Sequence, residues 1–130
     1  MSRTEEQLIA MRQSLLARDA EQITQIKNFG IDPAIHRQID LTFWAPSENA
    51  AKIFVEACKR NEMPPHTVMG PGAKEENKRW LIRCAITASV TFVTTPENVE
   101  IFILFGDKFG CQYDGWGTAI VEAAAPVTIQ

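Results

Sequence analysis

Apolar residues recur at helical spacing near the start of the chain, at Leu8, Met11, Leu15 and Leu16 and then at Ile23 and Ile26, with charge on the opposite side. Thr4, with Gln7 three residues on, reads as a capping box that opens this helix. Asp19-Ala-Glu-Gln22 reads as a second cap, so the segment is either broken near Arg18–Asp19 or one long helix. Gly30 is the expected left-handed residue at its end, and Ile31-Asp32-Pro33 a connector.

From His36 to Ala45 the period drops to two. Ile39, Leu41 and Phe43 fall on one face and Gln38, Asp40 and Thr42 on the other, the pattern of a half-buried strand. Ser47 then caps a helix whose buried stripe is Ala50, Ala51, Phe54, Ala57 and Cys58, until Met63-Pro64-Pro65 ends it. His66–Met69 predicts a short edge strand, and the polar Gly70–Lys78 stretch a loop. Trp80, Ile82, Cys84, Ile86 and Ala88 alternate along a longer strand, with Arg79 and Arg83 opposite. Thr95-Pro96 starts another helix, buried along Val99, Phe102, Ile103, Phe105 and Phe109, with Gly110 at its end. The last strand runs from Cys111 to Ala123, interrupted by Gly115 and Gly117.

After the N-terminal helical segment (1–30), the order is β-α-β-β-α-β over 31–125, with a short tail at 126–130. Two βαβ crossovers fold most economically as a ferredoxin-like α+β domain, a four-stranded antiparallel sheet with both helices on one face.

Composition narrows the function. Net charge is −3 with no basic run, which argues against direct nucleic-acid binding, because that depends on clustered Lys and Arg. The polar N-terminus is not a signal peptide, and the apolar runs are too short to span a bilayer, so a cytoplasmic protein with no membrane association is expected. Cys58, Cys84 and Cys111 sit in apolar stretches and read as reduced core thiols. With no CxxC and no Cys/His cluster, neither metal nor cofactor is expected. His36 and His66 have no partner at a metal or triad spacing. Gly70-Pro-Gly-Ala-Lys74 lacks the spacing of a phosphate loop. Glu48, Glu56, Glu97 and Glu100 decorate helix surfaces. Asp40 and Asp114 lie in strands that pair in this topology; an acid/base pair is weighed against hydrogen-bonded structural carboxylates, and the structural reading is favoured.

The anomaly is Tyr113-Asp114-Gly115-Trp116-Gly117-Thr118. Glycine weakens a strand interior and marks a bulge or a close approach by another group. Two glycines bracketing a tryptophan leave two readings: a bulge that re-aims Trp116 onto the core, or Tyr113 and Trp116 as an aromatic anchor on a binding face.

This YDGWGT string resembles the signature of the ribonuclease E inhibitor B family (RraB-like proteins). Upstream, Gly30-Ile-Asp-Pro-Ala34 resembles that family's turn before the first strand, and the helices after Pro46 and over Asn98–Gly110 resemble its two crossover helices. The resemblance covers Ala17 to Glu122. It implies a ferredoxin-like fold, no catalytic residues, and a protein partner, ribonuclease E, whose inhibition alters RNA decay. Lys74, Lys78 and Arg79 in the middle loop make this chain less acidic than the family's pattern. Two alternatives stand beside it: an interaction module with another partner or as a homodimer, and a small-ligand protein or enzyme with a pocket near Tyr113–Trp116.

Overall fold

A computed structural model of the chain describes residues 4–73, 76, 78–122 and 125–129. The first element is a single helix, α1 (Glu5–Asn28), opened by the capping box: Thr4 Oγ1 accepts from the Gln7 amide at 3.1 Å and Gln7 Oε1 accepts from the Thr4 amide at 2.9 Å. Asp19 and Gln22 do not interrupt it. They lie on its buried stripe, between Leu15 and Ile26. Phe29 closes the helix and Gly30 follows in the left-handed region at φ +80°.

The chain then forms β1 (Arg37–Ala45), α2 (Glu48–Arg60), β2 (Pro65–Met69), β3 (Trp80–Ala88), α3 (Val90–Val93), α4 (Pro96–Lys108), β4 (Gln112–Glu122) and β5 (Ala125–Ile129). The strand order is β2-β3-β1-β4-β5, every neighbouring pair antiparallel. The first four strands have the ferredoxin-like order. Lys74, expected in the loop before β3, lies outside the described residues.

Two elements go beyond the sequence pattern. Ser89 Oγ accepts from the Phe92 amide and caps the one-turn helix α3, which buries Val90 and Val93; four residues are too few for a helical period to show. At the C-terminal end, Ala125–Ile129 pairs with Thr118–Glu122, so a fifth strand forms where a tail was expected. Val127, Thr128 and Ile129 are β-branched, and Pro126 is tolerated because this strand is at the sheet edge.

Ser47 and Thr95 cap α2 and α4 as their sequences predict. Both helices cover the face carrying Ile39, Leu41, Phe43, Ile82 and Cys84, all fully buried. Phe43 is the hub. Its ring centroid is 4.7 Å from that of Phe54 and 5.3 Å from that of Tyr113, and Phe102 stacks on Tyr113 from α4 at 5.4 Å. Each such ring contributes ~1.5–3 kcal/mol through burial. The three cysteines are buried and free. Cys58 and Cys84 face each other with sulfurs 3.4 Å apart, and burial pushes the Cys111 thiol up to about 12, so Cys111 offers no ready thiolate.

Gly106 sets how closely α4 approaches the sheet. A Cβ there would lie 2.8 Å from the Cys111 carbonyl oxygen and 3.2 Å from the Phe43 ring. Alanine in a helix interior normally gains about 1 kcal/mol over glycine. Here the clash is with backbone and dominates, so Gly106→Ala is expected to lose ~1–3 kcal/mol in urea denaturation. Equal or greater stability would show that α4 can shift outward.

Candidate functional site

The β1–β4 ladder pairs Phe43 with Tyr113 and Leu41 with Trp116. Two steps on β1 match three on β4, which is a β-bulge at Asp114–Gly115. Its consequence is a change of side. In a regular strand, Tyr113 and Trp116 would point to opposite faces; the extra residue brings both onto the helix-covered face. Gly115 supplies the backbone this requires, at φ +103°.

Gly115 has a second duty. A Cβ at this position would run into the Arg18 guanidinium and reach the Leu15 side chain, so the missing side chain is the opening through which α1 meets the sheet. Three polar residues of α1 use that opening. Arg18 donates to the Asp114 carbonyl and pairs with Asp114 Oδ1 at 3.4 Å. Gln22 Nε2 donates to the Trp116 carbonyl at 3.1 Å. Asp19 Oδ1 accepts from the Trp116 indole Nε1–H at 2.9 Å. Asp19 is only 3% exposed. Burial pushes its carboxyl up to about 6, against the opposing pull of the Trp116 bond and the Arg18 charge.

The six motif residues therefore do different things. Tyr113 and Trp116 are each 2% exposed and neither ring is presented on the surface. Burial, and then the Asp19 charge, push the Tyr113 phenol up, away from any role as a proton carrier near neutrality. Thr118 is buried and its hydroxyl donates to the Gln38 carbonyl at 2.9 Å, tying β4 to β1. Gly115 and Gly117 act through backbone, Gly117 lying opposite Asp40. Asp114 alone turns toward the open face, where Oδ2 accepts from Trp44 Nε1 at 3.1 Å.

Sequence reading missed Arg18, Asp19, Gln22 and Trp44 as partners of this motif. A signal existed for two of them. Asp19 and Gln22 fall on the helical stripe of Leu15 and Ile26, and polar residues within a buried stripe imply buried partners. Asp40 and Asp114 do share the open face but are engaged separately. Asp40 Oδ1 lies 2.9 Å from His66 Nε2, and His66 Nδ1 lies 2.8 Å from Thr67 Oγ1. Spacing along the chain could not show this pair, because β3 separates the two strands and only small Ala85 stands between them. Among the described residues, no group of three His, Cys, Asp or Glu is arranged to hold a metal, and no helix is long and apolar enough to cross a membrane.

Two measurements test this construction. Trp116→Ala is expected to cost ~3–5 kcal/mol of stability, as for a large aromatic removed from a core; a change below about 1 kcal/mol would mean that the ring is not part of the core. Asp19 gives a pH signature. Its folded value lies above the unfolded one, so between about pH 4 and 6 the native state holds more protons, and stability falls as pH rises through this window. Asp19→Asn keeps an acceptor for the indole and cannot ionise. The melting-temperature difference, variant minus parent, should therefore grow from pH 4 to pH 7; a flat difference would contradict the burial of this carboxylate.

No curated protein sequence matches the chain. A family model, described as Regulator of ribonuclease activity B, matches residues 17–118, from α1 just before Arg18 to the last residue of the motif. That span contains both sides of the helix–bulge junction, and it is most of the chain: this protein belongs to the regulator of ribonuclease activity B family.

Proposed function

We propose that this chain is a protein-binding regulator with no catalytic residues of its own, and that ribonuclease E is the enzyme it binds, with altered RNA decay as the outcome. The family match over residues 17–118 carries the reading. The chemistry of the signature supports it. Trp116, Thr118 and Asp114 make hydrogen bonds that join α1, β1 and β4, and Tyr113 packs among phenylalanines. These are the contacts of a scaffold that presents surfaces to a partner.

The group closest in appearance to a catalytic set is Asp40–His66–Thr67. A nucleophilic triad also needs a substrate cavity and oxyanion donors. His66 sits on the edge strand with its side chain 39% exposed, and it lines neither the cavity between α2 and β2 nor the one around Asp114. Burial of the Tyr113 and Trp116 rings likewise weighs against a ligand pocket built from the two of them.

Self-association is the competing interaction reading. Strand β2 is an open edge, and its Val68 and Met69 are about half exposed. Light scattering over a concentration series separates the two: a monomer throughout favours a heterologous partner, and a concentration-dependent dimer favours β2 pairing.

The decisive test uses purified ribonuclease E from the same organism. Surface plasmon resonance should show saturable binding, and added protein should slow cleavage of an RNA substrate. No association at micromolar concentration would remove ribonuclease E as the partner.

A further inference from the structure

Strand β2 is an edge of the sheet, and its two ends differ. Pro65 has no N–H to offer, and the register with β3 slips at His66, where two steps on β2 match one on β3. Proline and a bulge both keep a foreign strand from an edge. Residues 67–69, beyond them, carry neither device. Val68 stands opposite Ile82 on the helix-covered face, and Met69 opposite Leu81 on the other face. Both are about half exposed.

A groove of about 440 Å³ runs beside this stretch, between α2 and the edge. Ala51 and Val55 of α2, together with Val68 and Trp80, give it apolar walls. Gly70, just after β2, lets the chain lie against the Trp80 ring, since a Cβ there would come within 3.1 Å of it.

The charged residues at the rim are matched within α2. Lys52 pairs with Glu48 at 3.1 Å, and Glu56 with Lys59 at 3.4 Å. A charged side chain entering the groove would lose water and meet charges that already have partners. The complement of such a rim is an uncharged segment. Backbone geometry narrows the occupant further. An edge strand presents a row of N–H and C=O groups that an extended chain can pair, whereas a helix has already bonded its own. Side chains of the added strand alternate, one entering the groove over Val68 and the next lying beside Met69 and Leu81. We propose that β2 and this groove dock an uncharged, extended segment of a protein partner, which joins the sheet as a further strand. The proposal rests on the protein-binding reading above and adds where the partner sits and in what conformation.

The three indoles supply the test. Trp80 lines the groove, whereas Trp44 and Trp116 lie at the cavity around Asp114. Isotope-labelled full-length protein would be titrated with a blocked eight-residue peptide of alternating valine and serine and followed by amide and indole NMR. The Trp80 indole and the amides of residues 67–69 should shift. The Trp44 and Trp116 indoles should stay in place, which also reports an intact fold. A fully N-methylated form of the peptide has no N–H donors and should not bind. Val68→Lys should weaken binding about tenfold or more, because a charge on the edge opposes strand addition. Ile101→Lys, at an exposed position of α4, should leave it unchanged. Added salt should also have little effect, since no charges are matched.

A Trp80 signal that does not move, equal binding of the N-methylated peptide, or equal loss in both variants overturns the proposal. So does a Trp80 signal that moves with protein concentration alone, which would make a second copy of the chain the occupant. If ribonuclease E binds Val68→Lys at full strength, the groove is not its docking site: the proposal falls and the regulator reading stands. If the peptide binds and ribonuclease E does not bind the parent protein, the groove stands and the partner's identity falls.

Discussion

A buried hydrogen bond from the Trp116 indole to the Asp19 carboxylate is where the N-terminal helix and the sheet become one body. An ionisable carboxyl that is 3% exposed is costly to keep, and an N–H donor held at 2.9 Å offsets part of that cost. Everything around the bond serves to bring the two groups together. The bulge turns the indole toward the helix layer, Gly115 lets α1 come close enough, and Gln22 donates to the Trp116 carbonyl.

This arrangement changes what the YDGWGT segment signifies. An aromatic-rich, glycine-rich strand looks like a binding surface because such residues dominate interface energetics. In this fold the aromatic rings are internal, and the outward consequences are indirect. The bulge points Asp114 at Trp44 and draws Arg18 to the same place, so the motif shapes a polar surface next to the helix junction. A family signature can therefore mark a scaffold position.

The open face also shows how a sheet assembles pairs that no local spacing announces. Asp40 and His66 are 26 residues apart and two strands removed, yet their side chains meet across Ala85. Arg18 and Asp114 are 96 residues apart and meet across a glycine. In both cases a small residue between the partners permits the contact, and its identity is uninformative until the ladder register is known.

Periodicity and caps sufficed for the elements that have enough residues to show them. Helix α1 announced itself by Thr4–Gln7 and its apolar stripe, β1 and β3 by strict alternation, α2 and α4 by Ser47 and Thr95, and the βαβ repetition then left one economical sheet order. The four-residue α3 and the edge strand β5 escaped, the first for lack of a full period and the second because a short C-terminal stretch with a proline reads equally well as a tail. The motif's glycines implied a bulge beforehand, since no other residue tolerates that backbone so readily. Which way the bulge turned Trp116 depended on register with Leu41 and Phe43. That α1 closes over it depended on Asp19 and Gln22 meeting groups more than ninety residues away. Local chemistry is written in neighbours along the chain. The partners of buried polar groups are chosen by packing, and only the tertiary structure decides them.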